Sequence, residues 1–175
     1  MTVVPEHEPS EHEPSGDDPL LDGLIALGNR LPFNQHLGVE VVEVESGRCR
    51  TRLRSDARLA NHLGGVHAIA ELAPVELAGA MAASTRLREL LERGYIPVVG
   101  SLSTRYLAPA EGELTAVAVV GEDAVAPALA AAEEGHKPRA VAAVEVTDAE
   151  GTVVAVAELT FVYLDVAATP VVDDA

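Results

Sequence analysis

One continuous stretch limits the possible folds more than any other. It opens with a polar, glycine-bearing segment, Asn61-His62-Leu63-Gly64-Gly65-Val66-His67. It then passes through Ala68-Ile69-Ala70-Glu71-Leu72-Ala73-Pro74-Val75-Glu76 into small apolar residues as far as Ser84, and ends in an arginine- and glutamate-rich run at Arg93. Ala, Leu and Met favour helix, and alanine lets other backbone approach closely. The pattern predicts a loop feeding one long helix, stopped by Gly94 and then Pro97. The run is apolar nearly all round, so the helix must be enclosed by protein on most sides.

The flanking segments supply strands that could enclose it. Residues 39–45 and 48–56 read as a hairpin turning at Ser46-Gly47. A two-residue turn sets Glu45 opposite Arg48, Glu43 opposite Arg50, Val41 opposite Arg52 and Val39 opposite Arg54. Val44, Cys49, Val42, Thr51, Glu40 and Leu53 then share the other face. The four arginines read as a solvated face with cross-strand ion pairs, with an anion-binding stripe as the alternative. Further strands are expected at 96–107, 112–121, 139–147 and 152–164, with a short alanine-rich helix at 124–134 closed by Gly135. Residues 19–31 have helical spacing behind Asp17 and Asp18 and are ended by Pro32. Hairpins this short permit only antiparallel pairing, so the expected class is α+β, a curved antiparallel sheet wrapped around a long central helix.

At 175 residues, one domain is expected, at 19–165. Residues 1–18 form an acidic tail with a repeated pentad, Glu6-His7-Glu8-Pro9-Ser10 and Glu11-His12-Glu13-Pro14-Ser15. Its composition predicts disorder, and His7 and His12 read as part of a solvated tail. Residues 166–175 read as a C-terminal tail. The net charge of −16 opposes nonspecific nucleic-acid binding. A single cysteine, Cys49, suggests a reducing compartment, and no run is long and apolar enough for a membrane span. With no signal-like N-terminus, a cytoplasmic protein is expected.

Two carboxylates, Glu71 and Glu76, interrupt the apolar helix. A buried carboxylate needs a partner, a cleft or a raised pKa, and is a candidate for acid–base work. Nine residues along a helix advance about 13 Å and turn roughly 180°, so His67 and Glu76 point to opposite sides and do not converge on a metal. Two antiparallel copies of the helix across a twofold axis bring residue 67 of one near residue 76 of the other. A homodimer or a dimer of dimers is therefore expected. Glu71, one turn beyond His67, reads as its ion-pair or hydrogen-bond partner and not as a second catalyst. Pro74 implies either a kink or a later start to regular helix.

Asn61-x-x-Gly64-x-x-His67, with Glu76 nine residues later, resembles the signature of PaaI-type hotdog acyl-CoA thioesterases. Thr104-Arg105-Tyr106-Leu107-Ala108-Pro109-Ala110 resembles their following strand and exit turn. Asn61-His62 through His67-Ala68-Ile69-Ala70 is similar to an uncharacterised branch of the same superfamily. The resemblance implies a hotdog fold and hydrolysis of acyl-CoA or acyl-carrier thioesters, with coenzyme A as part of the substrate and neither cofactor nor metal. It implies that the Ala68 backbone N–H polarises the thioester carbonyl, that Asn61 orients substrate or water, and that Glu76 is general base or nucleophile. His67 stabilises the helix start. Gly64, Gly65, Glu71 and Arg105 are expected to contact substrate, with Arg86, Arg88, Lys137 and Arg139 as further candidates for the phosphates. This chain has His67-Ala68-Ile69 where many relatives have His-Gly-Gly. The alternatives are a non-catalytic acyl-binding scaffold and an acyl-thioester dehydratase, whose Gly-His-x-Pro loop is missing here.

Overall fold

The computed structural model describes residues 18–167. Residues 1–17, which hold all but the last residue of the tail expected at 1–18 and include His7 and His12, and residues 168–175 lie outside the described residues. Asp18 does not belong with the tail. Its Oδ1 accepts from the Leu20 N–H at 3.0 Å, capping the first helix, and its Oδ2 lies 2.7 Å from Arg88.

The elements run α1 (Pro19–Arg30), α2 (Pro32–Leu37), β1 (Val39–Glu45), β2 (Arg48–Leu53), α3 (Ala68–Arg86), α4 (Arg88–Glu92), β3 (Tyr95–Tyr106), β4 (Leu114–Val119), α5 (Val125–Glu133), β5 (Arg139–Thr147) and β6 (Val153–Asp165). The strands form a six-stranded sheet in the order β1-β2-β4-β5-β6-β3, and every pairing is antiparallel. The sheet curls around α3, as expected for a hotdog fold. Of the 19 residues of α3, 13 are buried, which leaves the remainder as a narrow open stripe. Thr51 Oγ1 donates to Pro74 O at 2.8 Å, tying α3 to β2. Gly79 abuts the Phe161 ring of β6, where an added Cβ would sit 3.0 Å from the ring edge.

Three local expectations change. Pro32 ends the first helix but also opens α2, because a first helical position has no use for an N–H. The long helix does not run unbroken to Arg93: Leu87, at φ −105° and ψ 39°, separates α3 from α4 before Gly94 at φ +87°. The helix does run continuously across Pro74.

The third change is in the hairpin. Pairing follows the expected register from Glu45–Arg48 to Glu43–Arg50, then shifts at a bulge. Beyond it Val41 faces Thr51, Glu40 faces Arg52 and Val39 faces Leu53. The bulge makes Val42 the extra residue, so Val39 and Val41 turn inward while Val42 and Glu40 stay out. Glu40 then pairs with Arg52 and, at 2.7 Å, with Arg54, while Glu43 lies 3.0 Å from Arg50. The arginine face carries cross-strand ion pairs.

Among the described residues the core contains one unsatisfied hydroxyl. Tyr163 is fully buried and its OH has no hydrogen-bond partner among the described residues. Leaving a buried polar group unpaired costs about 1–3 kcal/mol. Tyr163→Phe is therefore expected to hold or raise the denaturation midpoint, by up to about 1 kcal/mol in stability. A loss of more than that in a urea titration would mean that the hydroxyl is satisfied.

Candidate active site

The segment before α3 is built around Asn61. Its Oδ1 accepts from the Leu63 N–H at 2.8 Å and its Nδ2 donates to Val66 O at 2.9 Å. The Asn61 N–H donates to Gly65 O at 2.7 Å, and the Gly64 N–H returns to Asn61 O at 3.1 Å. Both ends of the amide thus close the loop on itself. Gly64 sits at φ +90°, where a side chain is strained. Gly65 packs against the exit turn after β3, where a Cβ would lie 2.8 Å from Ala110 O. That carbonyl also accepts the Val66 N–H at 2.8 Å. The loop and the Pro109-Ala110 turn are therefore one unit, although 45 residues separate them. Gly64 and Gly65 line a cleft of about 200 Å³ with Leu53, Asp56 and Gly112, which neither Ala68 nor Glu76 borders.

His67 is the N-cap of α3. Its Nδ1 accepts from the Ile69 N–H at 3.1 Å, and its carbonyl accepts from the Ala70 N–H at 2.8 Å and the Glu71 N–H at 3.2 Å. The Ala68 N–H has no partner among the described residues. It is the first-turn amide left free, and it points out of the positive end of the helix.

Glu71 does not partner His67. It is 4% exposed, and its Oε2 has no hydrogen-bond partner among the described residues. His67 has already committed Nδ1 to Ile69, and as a cap it lies outside the helical spacing that brings residues four apart together. Burial pushes the Glu71 carboxyl up to about 7. The unfolded chain, with a carboxyl near 4.3, loses this proton first. Stability on this account is highest below about pH 4, falls as pH rises towards 7 and stays lost above, by about 3 kcal/mol. The melting temperature of the protein is expected to fall across that window, and Glu71→Gln to flatten the fall.

Glu76 is half-buried, has no hydrogen bond or ion pair among the described residues, and is raised by burial above the usual carboxylate range. It lies on the open stripe of α3 with Ile69, Leu72 and Ala80, at helical spacing. This stripe borders β3. Tyr106, at the end of β3, reaches across to donate its hydroxyl to Ala68 O at 2.8 Å. The sequence reading missed Tyr106 as a contact of the helix start. Its alternation with Leu102 and Thr104 and the rarity of aromatics were the available signals. Arg105, its neighbour, projects from the opposite face of the sheet, away from α3. Arg86 is occupied by Val120 O and Ser46 O, and Arg88 by Asp18 and Glu92. Arg105, Lys137 and Arg139 have no ion pair among the described residues.

The strand β3 is an edge strand of 12 residues, none of them buried. Val99 and Tyr106 on its inner face are 40% and 44% exposed, and Ile69 on the α3 stripe is 67% exposed. An unpaired edge beside an apolar strip is a surface suited to association. Among the described residues no helix is long and apolar enough to cross a membrane.

A curved antiparallel sheet around one long helix defines the class as a hotdog fold. Residues 24–163 match the family described as a domain of unknown function, DUF4442, and the chain belongs to that family. Similar solved structures share the fold. A Pseudomonas aeruginosa protein, PA5026, described as of unknown function and a probable thioesterase, superposes with a TM-score of 0.70 at 24% identity, over 81% of this chain and 93% of that one. The thioesterase HI1161 of Haemophilus influenzae gives 0.64 at 21% identity, over 83% and 90%. The E. coli PaaI protein from the phenylacetic acid degradation operon gives 0.62 at 17%, over 79% and 88%. A search of curated proteins finds no match.

Proposed function

We propose that this protein hydrolyses acyl-CoA or acyl-carrier thioesters at a site shared between two copies of the chain. One observation carries the reading. The free Ala68 N–H and the unpartnered Glu76 carboxyl lie on one helix, eight residues and about 12 Å apart along its axis. Within one chain they cannot address the same carbonyl. Two α3 helices packed antiparallel along their open stripes bring each amide to the other's carboxylate.

The chemistry follows from the two groups. The Ala68 N–H, at the positive end of α3, receives the charge that develops on the thioester oxygen. Glu76 takes a proton from the attacking water, or attacks the carbonyl itself. Collapse of the tetrahedral adduct breaks the carbon–sulfur bond, and the departing thiolate takes the proton that the attacking water gave up to Glu76. In the nucleophilic course the adduct collapses to a glutamyl anhydride, and water then cleaves it to free the acid and Glu76, its proton going to the thiolate. Burial raises Glu76 and so makes it a better base than a solvated carboxylate. Asn61 and His67 hold the loop and cap that present the amide, and Gly64 and Gly65 allow the loop to close. Of the candidate cations, Arg105, Lys137 and Arg139 are left for coenzyme A phosphates. The thioesterase descriptions of PA5026 and HI1161 support the reading.

A panel of acyl-CoA thioesters assayed for free thiol tests it. Hydrolysis is expected, with a solution mass two or four times 18.2 kDa. Ile69→Glu places a charge in the shared stripe and is expected to yield monomers with turnover near background. Saturable acyl-CoA binding without turnover would instead favour a scaffold, and a monomer of full activity would refute the shared site.

A further inference from the structure

Glu71 is the only acidic or basic side chain in the buried set among the described residues. The hydrolytic mechanism makes no use of it. It lies in the first turn of α3, three residues past Ala68, and among the described residues its Oε2 has no cation or donor to neutralise it. Few titratable groups lie on the core side of the strands and of the first helix packed against α3. From β3 comes Tyr106, whose hydroxyl is already given to Ala68 O and whose ionisation is opposed first by burial and then by Glu71. The inward faces of β1, β4 and β5 are apolar. β2 adds Cys49 and β6 adds Tyr163, both held neutral by burial. α1 turns Leu21, Leu24 and Ile25 towards the core. On α3 itself the titratable neighbours are His67 and Glu76.

We propose that Glu71 is a positioning residue that must stay protonated for the site to work, its ionisation switching off the Ala68 oxyanion donor. The inference rests on the hydrolytic reading above. The positive end of α3 can stabilise one nearby anion well. A neutral Glu71 leaves that field to the thioester oxyanion. An ionised Glu71, about 6–8 Å away on the same turn, occupies the field and repels the developing charge. Glu76 has the opposite requirement, since it must be ionised to accept a proton. Two carboxyls on one helix thus bound the working range from both sides, Glu76 on the acid limb and Glu71 on the alkaline limb. The neutral state of Glu71 is the one its burial already favours, with a carboxyl held up to about 7.

The test is the pH profile of kcat for the full-length protein on an acyl-CoA that it hydrolyses, between pH 5 and 9. The wild type is expected to lose activity on the alkaline side near neutrality. Glu71→Gln keeps the shape and removes the charge. It is expected to retain the acid limb, lose the alkaline limb and exceed the wild type at pH 8 by about 10- to 50-fold. An alkaline limb unchanged in Glu71→Gln overturns the proposal and leaves the hydrolytic reading standing. Failure of the wild type to hydrolyse any acyl thioester overturns both. If the glutamine variant does not fold, carbon-13 titration of the wild-type carboxyls decides. Glu71 titrating near neutrality together with the alkaline limb supports the proposal, and titration below pH 5 overturns it.

Discussion

Glutamine in place of Glu76 is expected to lower acyl-thioester turnover by about 100- to 10,000-fold, with little change in melting temperature. The expectation rests on the position of the group. Glu76 is on the open stripe of α3, unpaired and half-buried, so glutamine removes its basicity without breaking a bond or leaving a cavity. The acid limb of the wild-type profile should lie above the usual carboxylate range, because burial favours the protonated form. Retention of full turnover by Glu76→Gln would remove the residue from the mechanism.

The second large effect comes from a backbone substitution. Ala68 is the first residue of α3, where proline fits without cost to the helix and deletes the N–H. His67, at φ −70° and ψ 132°, already has the extended geometry that a following proline demands. Ala68→Pro is therefore expected to fold and to lose about 100- to 1000-fold in kcat, the usual effect of removing one oxyanion donor. The two variants also report on each other. In a heterodimer of Ala68→Pro with Glu76→Gln, one shared site has both defects and the other has none. Random mixing of the two inactive proteins is expected to restore about one quarter of wild-type activity, since half the dimers carry one good site. Recovery of nothing, with mixed dimers shown to form, would place the chemistry within one chain.

The features legible in the sequence were those set by periodicity and by local stops. The α3 rod, its glycine-rich approach and the antiparallel strands follow from apolar spacing and turn residues, and their limits moved by few residues. The bulge was not legible, because Val41-Val42 offers two equivalent residues and only the core decides which one turns in. The break at Leu87 was hidden for a similar reason: the arginines and glutamates that follow it favour helix as well as those before it. At the site, the sequence named the loop, cap and carboxylate but assigned Glu71 a partner by spacing alone. Spacing of four residues predicts contact only when both members are helical, and His67 is a cap. Contacts that cross the fold, such as Tyr106 with Ala68 or Gly65 with Ala110, leave no trace at any short sequence separation.

The bulge in β1 has a consequence for the length of the chain. Every partner assignment on either side of Val42 is that of a regular ladder with the residue removed. Deleting Val42 thus leaves the same residues inward and the same ions paired, and takes away only the bend. The first hairpin would lie flatter over the rod and draw Val41 away from Gly28 of α1, where an added Cβ would lie 3.1 Å from the valine, loosening the shell where α1 closes it. At this point residue count sets curvature while side-chain chemistry stays the same.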